Sequence, residues 1–118
     1  MKFVMLIYHP EGVLPREELN RVHRECRAWH EELVRTGQSL GAFGLQPAST
    51  AATLREAAGK ITVTDGPFAE TKEVLGGFEM LECETREETL AICHRFPAIR
   101  YGASVELRPL VPGNRCEA

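Results

Sequence analysis

A turn in the middle of the chain carries the residue best suited to chemistry. Asp65-Gly66-Pro67 must reverse the backbone, because glycine permits positive φ and proline fixes its own φ near about −65°. Residues 61–64 alternate β-branched apolar and polar side chains, which predicts a strand ending at Asp65. Beside apolar Phe68, a carboxylate at a strand end loses hydration and becomes suited to general acid or base catalysis. The alternative is an aspartate that only hydrogen-bonds its own turn.

Three ionisable residues follow this turn. Glu70, Lys72 and Glu73 lie within a few positions of Phe68. They could hold a polar ligand or form a lid over Asp65. The competing interpretation is a solvent-facing loop of salt bridges, worth under about 1 kcal/mol each.

A third set lies on the first predicted helix. His23, Cys26 and His30 fall at i, i+3 and i+7, on one helical face, where three such side chains could bind Zn²⁺ with an open fourth position. Cys26 also belongs to the apolar stripe of that helix, where a free cysteine behaves as a small hydrophobic residue. We therefore predict no metal site, although the pattern by itself leaves one open.

Composition excludes several classes of function. The 118 residues are 43% hydrophobic and 26% charged, with a net charge of −3, so nothing electrostatic favours nucleic acid. No GxGxxG, P-loop, GxSxG or HExxH motif occurs. The apolar run 3–8 is far shorter than the ~20 residues of a membrane span. Four cysteines without CxxC spacing or a secretory segment predict reduced thiols in the cytoplasm.

Hydrophobic periodicity predicts two β-α-β halves. In the first half we expect a strand at 3–8, a helix with Pro15 in its first position and Gly37 as its cap, and a bent strand within 38–46. A hairpin of 52–56 and 60–64 follows. In the second half we expect a strand at 76–83, a helix at 86–95 that begins with a Thr85/Glu88 capping box, and a strand at 104–108. This order predicts a ferredoxin-like α+β sandwich in one domain, 1–110, with a flexible tail, 111–118. Two helices shield only one sheet face, so we predict a homodimer over the other.

The signature run from Asp65 to Glu73, followed by Leu75-Gly76-Gly77-Phe78, resembles that of the DGPF proteins, a branch of the YCII-related family. An opening like residues 1–8 and a close like 96–110 extend the resemblance to nearly the full chain. The resemblance implies a dimeric α+β barrel. It also implies an accessory protein of the kind encoded near extracytoplasmic sigma factors.

The same resemblance implies which residues reach the cleft. Arg100 and Tyr101 look like family residues that approach it from the second half, and Tyr8, ending the first strand, could present its hydroxyl there; each has a packing or surface role as its alternative. The broader family pairs a histidine on the first helix with an aspartate. Counting back from Gly37, that histidine position is Cys26 here, which leaves His30, one turn later, as the candidate substitute.

The sequence therefore leaves two functions open. The first is a small cofactor-free enzyme that uses Asp65, with His30 and Tyr8, on a small polar or carbonyl-containing metabolite, which Phe68, Glu70, Lys72, Glu73, Arg100 and Tyr101 would bind. The second is a non-catalytic ligand-binding or regulatory module without direct DNA contact. A further alternative is an interaction protein without a pocket, in which Asp65 serves only its turn.

Overall fold

The computed structural model describes residues 1–10, 12 and 14–114. Six strands and two α-helices follow in the order β1 (Lys2–Pro10), α1 (Arg16–Arg35), β2 (Ser39–Gly44), β3 (Ala52–Ala57), β4 (Lys60–Asp65), β5 (Glu73–Glu82), α2 (Arg86–His94) and β6 (Ser104–Pro109). Short 3₁₀ turns occupy Ala48–Thr50, Pro97–Tyr101 and Pro112–Asn114. Part of the expected C-terminal tail, 115–118, lies outside the described residues.

The strands form two separate antiparallel sheets. Four of them pair in the order β2-β5-β1-β6, and β3 pairs with β4 as a hairpin. The central pair of the larger sheet joins the first strand of each β-α-β half, which is the ferredoxin-like arrangement predicted from the element order. The hairpin is inserted between the two halves.

Both helices cover the same face of the four-stranded sheet. Met5 and Leu81 point from the two central strands into the core, where they meet Leu33 of α1 and Ile92 of α2. Trp29 packs edge-on against Phe96, with ring centroids 4.9 Å apart, and its indole N–H donates to the Ile92 carbonyl. The core therefore lies between the two helices and one face of the sheet.

The opposite sheet face carries no helix. Directly opposed residues of an antiparallel pair share a face, and the pairs Val4↔Met80 and Leu6↔Phe78 lie on this side. Phe43 of β2 pairs with Phe78, their rings 5.6 Å apart, and is 62% exposed. An apolar surface thus faces outward in the single chain.

Local signals set most element ends. Gly37 adopts φ +77°, and the Gly37 and Gln38 amides donate to the Val34 and Leu33 carbonyls, a Schellman motif closing α1. At the other end of α1, Pro15 is the N-cap with an extended ψ of 146°, so the helix begins one residue later than expected. The Thr85 hydroxyl accepts from the Glu88 amide and begins α2 as predicted.

Two strands are longer than their sequence patterns indicated. β1 continues through Pro10, and β5 begins at Glu73 rather than at Gly76, because these two segments pair with each other through a register shift at Ile7/Tyr8. Glu73 therefore belongs to the sheet and not to a loop. The bend expected in β2 is a register shift between Ser39 and Gly41.

Candidate functional site

The signature turn is tied to the hairpin by hydrogen bonds. Gly66 adopts φ +105°, and its amide donates to the Ala51 carbonyl at 2.7 Å. The Thr53 hydroxyl donates to the Gly66 carbonyl, and Arg55 Nη2 donates to the Phe68 carbonyl, each at 2.7 Å. Strand β3 thus holds the backbone that positions Asp65 and Phe68.

Asp65 ends β4, opposite Ala52. It shares a hairpin face with Ile61 and Val63, which are 74% and 65% exposed. Asp65 itself is exposed, and Phe68 is 78% exposed. The cleft expected around this carboxylate is therefore not formed by the described residues of one chain alone.

Three of the predicted site residues do meet. Tyr8, Lys72 and Glu73 line an open groove of about 510 Å³ at the end of the four-stranded sheet. The Glu73 carboxylate accepts a hydrogen bond from the Ser104 hydroxyl at 2.9 Å, which ties β5 to β6. No ion pair to Lys72 occurs within the described part of the chain. The full lining is Tyr8, Thr71, Lys72, Glu73, Ser104, Val105 and Glu106.

The other predicted residues lie outside this lining. Glu70 is exposed in the loop between β4 and β5. Arg100 is exposed and Tyr101 half-buried, both on the 3₁₀ turn Pro97–Tyr101. The groove therefore unites the first strand with the signature segment, but not with this turn.

His30 lies on the helix-covered side and has a partner that the sequence interpretation missed. Its Nδ1 is 2.7 Å from Oε1 of Glu79, a residue that is 2% exposed. The Ser39 hydroxyl donates to the same oxygen at 2.6 Å. A signal was available: Glu79 alternates with Leu81 along β5 at positions that face the core, where a carboxylate is rare.

The other two candidates on α1, Cys26 and His23, lie in different environments. Cys26 packs against the core, and burial raises the pKa of its thiol. His23 is exposed. Within residues 1–10, 12 and 14–114, no three histidine, cysteine or acidic side chains are grouped as metal ligands. The cysteines in those ranges, Cys26, Cys83 and Cys93, are free thiols.

Two glycines allow close approach to β5. A Cβ on Gly76 would lie 2.5 Å from Cδ2 of His9, and one on Gly77 would lie 2.9 Å from the Phe43 carbonyl oxygen. Both close approaches to these glycines are thus made by other parts of the same chain. These glycines set the spacing of β2 and His9 against the strand that leads to the groove.

Comparison with known proteins identifies the family of this chain. Residues 1–112 match the YCII-related domain. The chain belongs to the YCII-related family. An uncharacterized protein of Rhizobium meliloti (strain 1021) is 39% identical over 114 residues, which span 93% of this YCII-related chain and 92% of that protein. In the described part of the chain, no helix combines the length and hydropathy of a membrane span.

Proposed function

We propose that this YCII-related protein is a small cofactor-free enzyme whose cleft is completed by a second copy of the chain, with Asp65 as general acid or base. The substrate would be a small polar metabolite. The observation that carries the proposal is the position of Asp65 on the exposed apolar face of the hairpin, the same face of β4 as Ile61 and Val63.

An uncovered apolar hairpin is physically unfavourable. A two-stranded hairpin alone is marginally stable in water, and Leu54, directly opposite Val63, is itself 64% exposed. A partner that covers this face would also cover Asp65 and remove water from its carboxylate. The same partner would cover the helix-free sheet face around Phe43 and Phe78, which supports a second copy as the occupant.

The groove supports a polar ligand. Lys72, which directly precedes β5, and Tyr8 of β1 both line it, beside Glu73, whose carboxylate accepts a hydrogen bond from Ser104. A lysine without an ion-pair partner in the described structure is suited to a carboxylate or another anionic oxygen. We therefore assign anion binding to Lys72 and proton transfer to Asp65.

Oligomeric state tests the first half of the proposal. Light scattering should give a dimer for the wild type, and Phe43→Glu should give a monomer, because it adds a charge to the proposed interface. Val34→Glu is the matched control, since Val34 is 55% exposed on α1, away from that face. A monomeric wild type, or equal effects of the two variants, would contradict the proposal.

Ligand binding and turnover test the second half. Thermal shifts against a panel of small carboxylic acids and carbonyl compounds should identify a ligand whose effect is lost in Lys72→Met and kept in Lys60→Met, which changes an exposed lysine at the hairpin tip. Asp65→Asn should keep the thermal shift and lose turnover. Turnover that survives in Asp65→Asn removes the assignment of the acid or base.

A non-catalytic ligand-binding or regulatory module is the second candidate. The exposure of Asp65 in the single chain favours it. It predicts a ligand-induced thermal shift without any turnover in the wild type, whereas absence of every shift would favour an interaction protein. A cytoplasmic location, with the free thiols reduced and no nucleic-acid partner, is part of both proposals.

A further inference from the structure

A second group of interacting polar side chains lies beneath α1, separate from the groove. His30 comes from the helix, Glu79 from the buried face of β5, and Ser39 from the start of the edge strand β2. His30 and Glu79 are 49 positions apart in the chain, and Ser39 and Glu79 are 40 apart. The fold therefore assembles this group from three elements.

The hydrogen bonds define where the protons are. The Gly41 amide donates to Ser39 Oγ at 3.2 Å, which leaves the Ser39 hydroxyl proton to be donated to Glu79 Oε1. A carboxylate oxygen has no proton to donate, so we assign Glu79 Oε1 as the acceptor from both the Ser39 hydroxyl and His30 Nδ1, 2.7 Å away. His30 Nδ1 accordingly carries a proton, and Nε2 is the ring nitrogen left to exchange one.

Exposure differs sharply across the pair. The Glu79 side chain is 3% exposed, whereas the His30 side chain is 33% exposed. A partly exposed histidine held at Nδ1 by a buried carboxylate has the arrangement in which a carboxylate orients an imidazole for proton transfer.

A purely stabilising role explains this group less well. Glu79 occupies a core-facing position of β5 beside Leu81, where an apolar side chain would fit without desolvating a charge. Buried ion pairs are often no more stable than apolar replacements of the same volume. The polar group is therefore better explained by a use for the imidazole.

We propose that His30 is a second proton-transfer group of this protein, acting through Nε2, and that Glu79 is its positioning residue. It would act on small molecules that reach the surface at α1 and β2, of the class with a carbonyl carbon open to attack by water. The proposal does not depend on Asp65, on the groove or on a second copy of the chain.

Hydrolysis of p-nitrophenyl acetate provides the test. In the proposed step, Nε2 takes a proton from a water molecule, the water oxygen bonds to the ester carbonyl carbon, and the ester C–O bond breaks as p-nitrophenolate leaves with the electron pair. The products of this step are acetic acid and p-nitrophenolate, and the proton on Nε2 returns to solvent. No oxidant, reductant or metal is required.

Four variants separate His30 from ordinary surface imidazoles. His30→Gln should lower the hydrolysis rate by about tenfold, below the ~10²–10⁴ expected of a group aligned with its natural substrate. Glu79→Gln should lower it similarly, because a side-chain amide can donate to Nδ1 and leave the proton on Nε2. His23→Gln and His94→Gln, which change exposed histidines, should stay within about twofold. Equal rates in all four variants would overturn the proposal.

A measurement on the wild-type protein covers the case in which a variant fails to fold. Long-range ¹⁵N–¹H NMR spectra assign the tautomer of each imidazole, and they should show His30 protonated at Nδ1 in the folded protein. Glu79→Gln should move that proton to Nε2, while Ser39→Ala should leave it on Nδ1. A wild-type His30 found with Nδ1 unprotonated overturns the assignment, whatever the hydrolysis rates.

Discussion

Substitution of Gly77 by alanine tests how closely β2 approaches β5. A Cβ at this position would lie 2.9 Å from the Phe43 carbonyl oxygen and 3.4 Å from Gly44 Cα. Both contacts are with backbone, so the clash is relieved only if the edge strand moves by a few tenths of an ångström. Gly77 does not have positive φ, and backbone conformation therefore adds no further cost.

The expected loss of stability follows from two opposing effects. Overpacking of a well-packed site costs typically about 1–3 kcal/mol, whereas alanine restricts the unfolded chain and returns about 0.4–1 kcal/mol. Gly77→Ala should therefore lower the free energy of unfolding by about 1–2 kcal/mol. For a chain of this size, that corresponds to a fall in Tm of about 3–8 °C.

Gly76→Ala is the matched control on the neighbouring residue. Its Cβ would come even closer to a neighbour, 2.5 Å from Cδ2 of His9, but that neighbour is an exposed side chain that can rotate away. We expect a loss below about 1 kcal/mol, and none in the double variant with His9→Ala. Urea denaturation and thermal unfolding measure both effects. A Gly76→Ala protein less stable than Gly77→Ala, or an unchanged Gly77→Ala, would refute the reasoning.

Two further predictions concern the second half of the chain. Thr85→Ala removes the side chain that accepts from the Glu88 amide at the start of α2, and should cost about 1 kcal/mol in urea denaturation; a loss near zero would show that the cap contributes nothing. Burial, with Cys83 nearby, raises the pKa of Cys93 from 9.0 to about 11. The pKa of Cys93 is higher in the folded protein than in the unfolded chain. Its contribution to the free energy of unfolding is therefore present below pH 9.0 and falls as the pH rises to about 11. Unfolding midpoints across that range should fall less steeply in Cys93→Ala, and identical slopes would contradict the assignment.

Local sequence was sufficient wherever one residue type dictates the backbone. Gly37 and Gly66 both adopt the positive φ that their positions predicted, and Thr85 caps α2. The hairpin of β3 and β4 follows the alternating pattern to within one residue at each end. Element ends were misjudged where pairing decided them, as at Glu73, since the length of a strand depends on its neighbour as well as on its own residues.

Sequence and tertiary structure also contribute differently to the candidate site. Tyr8, Lys72 and Glu73 were expected near one cleft with Asp65, whereas the groove is lined by these three residues without Asp65. The position of Asp65 at the end of β4 was also predicted, and its exposure in the single chain was not. Whether a residue such as Asp65 is exposed depends on the elements that pack against it. Hydrophobic periodicity along one strand does not specify those elements.

The sequence by itself determined the elements, their order and the apolar faces, because these follow from spacing and from the conformational limits of glycine and proline. Only the tertiary structure decided that Glu79 meets His30 and Ser39, which lie 49 and 40 positions from it in the chain. Such a contact depends on which strands pair and in which register. Those choices are made by the packing of the whole core.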